Sequence, residues 1–257
     1  MRVQTLITAF GIVVASQAHA ALIDLSQAAA STSQGGLGVN QAIDGITVST
    51  APNLNGWAIG GNNSHQTAVF ETVHDVNFQT SGGQVEFKLI QDYTHPSYLT
   101  PEGNAQDYHQ IGKFTLSYTL ANRSSFADGN VSGGQLGADS IWTVLNPTSY
   151  KVYFRDGTYD PSATLTKQSD NSILAGGSNH RGYYIIDAAL NELAVTGFRI
   201  DVLTDSSLPY SGPGREPSNG NFVLTEFQVS SVPEPSTYLA GLSALGMLGM
   251  FGWRNRK

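Results

Sequence analysis

Along most of the chain, apolar and polar residues alternate one by one. The alternation is clear in Thr67-Ala68-Val69-Phe70-Glu71, Gln84-Val85-Glu86-Phe87-Lys88-Leu89 and Lys113-Phe114-Thr115-Leu116-Ser117-Tyr118. It returns in Tyr150-Lys151-Val152-Tyr153-Phe154, Gly182-Tyr183-Tyr184-Ile185-Ile186 and Gly197-Phe198-Arg199-Ile200-Asp201-Val202, and last in the run from Phe222 to Val229. A period of two, rich in β-branched and aromatic residues, predicts half-buried strands. Clusters of Gly, Asn, Asp and Pro separate them at 53–63, 81–83, 128–134, 176–179 and 211–221. Helical periodicity is confined to Asp187–Leu193, where one or two turns are expected. An antiparallel sheet tolerates one wet face, so the pattern predicts an all-β sandwich.

The two ends break this pattern. Arg2, the apolar stretch Leu6–Ala15 and Ala18-His19-Ala20 have the layout of a secretory signal peptide over residues 1–20, with cleavage before Ala21. At the other end, Val232-Pro233-Glu234-Pro235-Ser236 precedes sixteen uncharged residues, Tyr238–Trp253, and then Arg254-Asn255-Arg256-Lys257. As a helix those sixteen residues span roughly 24 Å, slightly less than a ~30 Å hydrocarbon core. Arg254, Arg256 and Lys257 would hold the C-terminus on the cytoplasmic side. Each proline disfavours helix at the residue before it, so Pro233, Glu234 and Pro235 should form an extended stretch that an enzyme can grip. A permanent C-terminal anchor is the alternative reading.

The order of these parts resembles the PEP-CTERM sorting signal of Gram-negative bacteria. The resemblance implies an exported protein held as an inner-membrane precursor. It also implies recognition by an exosortase, a membrane protease-transpeptidase that cuts near Pro233-Glu234-Pro235. Ala18 and Ala20 would serve the first processing step, and the Pro-Glu-Pro triplet the second.

Residues 21–231 remain as the folded body, long enough for one large β domain or for two small lobes meeting near 121–140. Setting aside Arg2, Glu234, Arg254, Arg256 and Lys257 from 20 acidic and 13 basic residues leaves the body near −10. So acidic a body is poorly suited to nucleic acid or anionic lipid. With no cysteine, disulfides, thiolate nucleophiles and cysteine-ligated zinc are excluded.

Several segments of the body are similar to the discoidin-type, galactose-binding-like jelly roll. They are Gln41-Ala42-Ile43-Asp44-Gly45, Gly56-Trp57-Ala58-Ile59 and Ala68–Glu71 near the start, Ile111–Ser117 with Trp142-Thr143-Val144-Leu145 in the middle, and Val195–Val202 with Leu224–Val229 as closing strands. At 211 residues the body exceeds the usual module, and the excess is expected in 94–110, 124–140 and 156–179. The resemblance implies a structural Ca²⁺ between the first loop and the last strand, with Asp44 and Glu226 at the matching positions and backbone carbonyls completing the shell. Without metal, Asp44-Gly45 would simply make a turn.

Loops at one end of such a fold suit sugars, which stack on aromatic faces and hydrogen-bond to polar neighbours. The candidates are Trp57, Tyr93, His95, Tyr98, Tyr108, Tyr159, Tyr210 and Arg215, the last able to fork onto a carboxylate or uronic acid. Trp57 and Trp142 also suit core positions. No hydrolase or phosphate-loop motif is present, and no catalytic residue is assigned. His95 and His109 flank an acidic loop containing Glu102 and Asp107, which is the right material for an acid–base site. The expectation is a non-catalytic surface protein that binds or organises extracellular polysaccharide. The alternatives are a structural or adhesion protein that binds other proteins, and a secreted glycan hydrolase.

Overall fold

The computed structural model describes residues 20–50, 52–80, 82–94, 108–127 and 135–232. These lie in one compact unit, Ala20–Glu234. Residues 1–19 of the signal peptide (with Ala18 but not Ala20), the triplet Pro233, Glu234 and Pro235, the helix expected at 238–253, and Arg254, Arg256 and Lys257 fall outside the described residues. So do His95, Tyr98, Glu102 and Asp107. Among the described residues no helix is long and apolar enough to cross a membrane.

The described residues form sixteen strands, in chain order. The first eight are β1 (Ala21–Leu22), β2 (Leu25–Ala30), β3 (Ser49–Thr50), β4 (Trp57–Ala58), β5 (Gln66–Val76), β6 (Gln84–Gln91), β7 (Tyr93–Thr94) and β8 (Lys113–Thr119). Then come β9 (Thr143–Val144), β10 (Pro147–Phe154), β11 (Ala163–Lys167), β12 (Ile173–Gly177), β13 (Gly182–Ala189), β14 (Val195–Val202), β15 (Val223–Leu224) and β16 (Glu226–Val232). Two antiparallel sheets make a β-sandwich. One has the order β1-β16-β6-β13-β10, and the other β11-β12-β8-β14-β5-β2, with β9 beside β8. Two small pairs, β15 with β4 and parallel β3 with β7, brace one end.

Alternation becomes burial as a strand's geometry requires. In β6, Val85, Phe87 and Leu89 are buried while Glu86 and Lys88 face outward. In β13, Tyr184, Ile186 and Ala188 point in, and Tyr183, Ile185 and Asp187 point out. Between the sheets, Phe227 stacks on Phe70 with ring centroids 4.2 Å apart, and Phe87 meets Phe198 edge-on at 5.4 Å. Both are favoured ring geometries.

β5 departs from alternation, for every residue from Gln66 to Thr72 is buried. Its outer face is covered by a second cluster in which Val69 and Ala29 pack with Phe126, Ala127 and Trp142. Gly197 makes this possible, because a Cβ there would lie 2.5 Å from the Phe126 ring. Trp142 is thus a packing residue of this outer cluster.

Two local expectations change. Asp187–Leu193 is not helical: Asp187, Ala188 and Ala189 continue β13 and pair with Glu86, Val85 and Gln84. Burying Ala188 and Leu190 on the sheet wins over a short isolated turn. In addition, Gly176 and Gly177 are not loop but the end of β12, which with β11 extends the larger sheet. The 156–179 excess supplies that hairpin.

Candidate functional site

Among the described residues, clefts open at three places on the sandwich. The widest described one, about 520 Å³, lies at the end braced by β4, β7 and β15. Tyr93 and His109 form its floor, with rings edge-on and centroids 4.8 Å apart. The loop that follows the short turn at Pro209–Ser211 forms one wall. There, Glu216 Oε2 accepts hydrogen bonds from Ser218 N (2.8 Å), Ser218 Oγ (2.6 Å) and Asn219 N (2.9 Å). Asn221 joins that wall to the opposite one. Its Oδ1 accepts from Ile59 N (3.2 Å) and Gly60 N (3.0 Å), and its Nδ2 donates to Gln34 Oε1 (3.2 Å). Gln34, Ser218 and Asn219 are the polar groups nearest solvent, and a cleft of this size falls within the ~300–1,000 Å³ range of small-molecule sites.

A second cleft, about 260 Å³, lies between the β1–β2 segment, the Ile43-Asp44-Gly45 loop and the start of β16. Gly45 N donates to Glu226 Oε1 at 3.3 Å. Glu226 Oε2 is buried and has no hydrogen-bond partner. Burial pushes the Glu226 carboxyl up to about 7; the Gly45 N–H opposes that shift and the nearby Asp44 charge adds to it. Asp44 Oδ1 accepts from Ile46 N (2.9 Å) and from Asn55 Nδ2 (3.2 Å), so the Asx turn anticipated without metal is present and fixes the carboxylate. Among the described residues no three His, Asp or Glu side chains cluster for a metal. Ca²⁺ here would rest on two carboxylates and backbone or amide oxygens. The orphaned Oε2 and the all-oxygen set fit a hard cation.

A third cleft, about 390 Å³, lies beside the β11–β12 hairpin and is lined by Arg215.

The residues anticipated for ligand binding separate. Trp57 is 0% exposed; its ring meets Phe222 at 5.0 Å and its Nε1 donates to Thr32 O at 2.8 Å. It is a core residue with no face for a sugar, a correction that follows from its burial against Phe222. Tyr93 is buried and offers only an edge to its cleft. Arg215, 8% exposed, is inside rather than on a surface loop. Tyr108 is half-buried, its carbonyl bonded to Asn179 Nδ2 at 2.9 Å. Tyr210 (64% exposed) and Tyr159 (55%, its ring edge-on to Tyr153 at 6.0 Å) are exposed rings away from the widest cleft's lining. The sequence reading missed Gln34, Glu216, Asn219 and Asn221. The signal was there in Ser218-Asn219-Gly220-Asn221, because Asn beside Gly favours turns in which side chains cap the backbone.

No curated protein matches the chain. Among solved structures it is similar to one described with the β-galactosidase BgaA of Streptococcus pneumoniae, at 12% identity and a TM-score of 0.45, covering 81% of this chain and 97% of that one. Residues 231–257, which begin on the last strand of the sandwich, match the PEP-CTERM protein-sorting motif. That motif implies an exported protein of a Gram-negative bacterium, carrying a C-terminal anchor that an exosortase processes. The chain is therefore an all-β sandwich that carries a PEP-CTERM sorting signal at its C-terminus.

Proposed function

We propose that the body binds extracellular polysaccharide at the cell surface or in the matrix and does not cleave it. The observation that carries this reading is the cleft walled by Gln34, Asn219 and Asn221 over the Tyr93–His109 floor. Amides and hydroxyls at the rim suit sugar hydroxyls, and the buried, edge-on Tyr93–His109 pair gives the cleft an apolar base beneath them. A sorting signal that implies export gives such a cleft access to secreted glycan.

Binding without cleavage is supported by the chemistry of the cleft. Glycoside hydrolysis generally takes two carboxyl groups across the scissile bond. Among the described lining residues Glu216 is the one carboxylate, and its Oε2 is committed to three donors of its own loop. We further propose that Ca²⁺ at Asp44 and Glu226 is structural. The other partners are the exosortase-type membrane transpeptidase and, through the apolar segment 238–253, the inner membrane.

The test is affinity electrophoresis of the full chain, in detergent, through gels containing the secreted polysaccharide of a PEP-CTERM bacterium. Retardation is expected, with about tenfold weaker binding for Gln34→Ala and Asn219→Ala, each compared at a temperature where its melting curve shows it folded; tenfold is ~1.4 kcal/mol. Unretarded wild-type migration would refute the reading.

A further inference from the structure

Among the described residues, Arg215 is a buried cation without a carboxylate partner. Its side chain donates to Gln110 Oε1 (2.7 Å), Ser178 O (2.9 Å) and Gly177 O (2.7 Å), all neutral acceptors. Those bonds use three of the five guanidinium N–H groups. The buried Tyr184 hydroxyl lies beside it; burial pushes that group up to about 12 against the pull of Arg215, so at neutral pH it brings no negative charge. Among the described residues no carboxylate forms an ion pair with Arg215, whereas Arg123, Arg155, Arg181 and Arg199 each have an aspartate within 4.0 Å. A buried charge is costly unless paired, so this one is poised for an anion from outside the chain.

The cleft that Arg215 lines is built to take one. It holds about 390 Å³, and its described lining residues include no Asp or Glu. Thr164 and Thr166 on β11 contribute hydroxyls, and Ser207 adds a third, whose proton is already given to Asp205 Oδ1 at 2.7 Å. Asn179 also lines it. Its Nδ2 is fixed by Tyr108 O and Arg215 O at 2.9 Å each, while its Oδ1 is buried and unpartnered. The cleft therefore offers a positive charge, several hydroxyls and a spare acceptor. An inorganic anion would use the first and leave the acceptor unsatisfied. A carboxylated sugar uses them all, with its carboxylate toward the planar guanidinium and a ring hydroxyl donating to Asn179 Oδ1. A body near −10 repels densely charged polyanions, which favours a glycan whose carboxylates are isolated among neutral sugars.

We infer that the Arg215 cleft is a uronic-acid subsite that reads carboxylated residues in an otherwise neutral glycan. This rests on the polysaccharide-binding reading and names the class of sugar within it. The probe is an aldotetraouronic acid, a neutral xylotriose bearing one glucuronate, compared with its methyl ester. Both are titrated calorimetrically into the full-length protein in detergent. The acid is expected to bind at least tenfold tighter than the ester. Thr164→Trp, which fills the mouth without removing any bond to Arg215, should erase that preference with melting unchanged, and Gln34→Ala should keep it. Arg215→Met should also erase it; because this change also removes three buried hydrogen bonds, the Trp variant carries the decision. Equal affinity for acid and ester overturns the uronate subsite. So does failure of both to bind while secreted polysaccharide still retards the protein, and either result leaves the polysaccharide reading standing. Loss of that retardation as well overturns both.

Discussion

Gly45 and Glu226 lie 181 positions apart in the chain, yet the Gly45 N–H donates to Glu226 Oε1 at 3.3 Å. That bond ties the loop before β3 to the first residue of the last strand. It satisfies one carboxylate oxygen and leaves the other buried without a partner.

The pH dependence of stability follows from this. Burial raises the Glu226 carboxyl from 4.5 to about 7. As pH climbs from 4.5, the unfolded chain releases this proton first, so stability falls until the folded group also ionises near 7. Glu86 is raised as well, by burial and the facing Asp187, with Lys88 opposing, so a variant must isolate the effect. Glu226→Gln should flatten this loss and raise the melting temperature at pH 8. Ca²⁺ should do the same for the wild type, and EGTA should reverse it. Melting curves at pH 5 and pH 8 that ignore both Ca²⁺ and EGTA would rule out the metal site.

Phe227 sits at the centre of the core, stacked on Phe70 and 5.8 Å from Phe87. Phe227→Ala should cost ~3–5 kcal/mol, read as a lower urea midpoint with an unchanged slope. A loss under 1 kcal/mol would mean that the two sheets do not pack through these rings.

Gly197 on β14 lets the Phe126 ring lie against the strand backbone. A Cβ there would fall 2.5 Å from Phe126 Cε2 and 2.8 Å from Phe70 O. Gly197→Val should therefore cost ~1–3 kcal/mol despite the β-propensity of valine, because the outer cluster is displaced. Near-UV circular dichroism should register the altered surroundings of Trp142, which contacts Phe126 at 5.0 Å. An unchanged spectrum and stability would contradict the packing.

Asp160 ties its own loop to the stretch that follows β12. It accepts from Ser162 N at 2.7 Å, pairs with His180 Nε2 at 2.7 Å and bonds to Ser178 Oγ. Burial alone would raise its carboxyl, but the bonds from Ser178, Ser162 and His180 outweigh it and the net shift is downward. Its contribution to stability is therefore complete above its ordinary value of 3.8 and is lost as pH falls below it. Asp160→Ala should lower the melting temperature at pH 7 and bring it closer to wild type in strong acid. An equal deficit at both pH values would show that the carboxylate charge does not matter.

The tail makes a prediction of its own. Replacing Pro233, Glu234 and Pro235 with alanine should leave an uncut, membrane-bound form, seen by intact-mass spectrometry of the native protein. Normal processing of that variant would remove the triplet from the recognised signal.

The seven strands anticipated from alternation fall within β5, β6, β8, β10, β13, β14, and β15 with β16, because period-two burial is written locally. What was not legible depended on neighbours distant in the chain. The β11–β12 hairpin reads as a Gly- and Thr-rich loop until β8 offers it an edge. Trp57 and Tyr93 carry the same sugar-binding promise in sequence as Tyr210, and only packing buries the first two. Asn221 acquires its role by reaching Ile59, Gly60 and Gln34 across the cleft.

By itself the sequence determined the strand-built body, its acidic charge and the sorting motif at 231–257, because alternation, composition and a short linear signal are local properties of the chain. The tertiary structure decided which side chains face which. It set Glu226 beside Asp44 and left one of its oxygens bare, and it enclosed Arg215 with no carboxylate paired to it among the described residues. Burial and charge pairing are settled between residues far apart along the chain, so the clefts took shape only once the two sheets had closed.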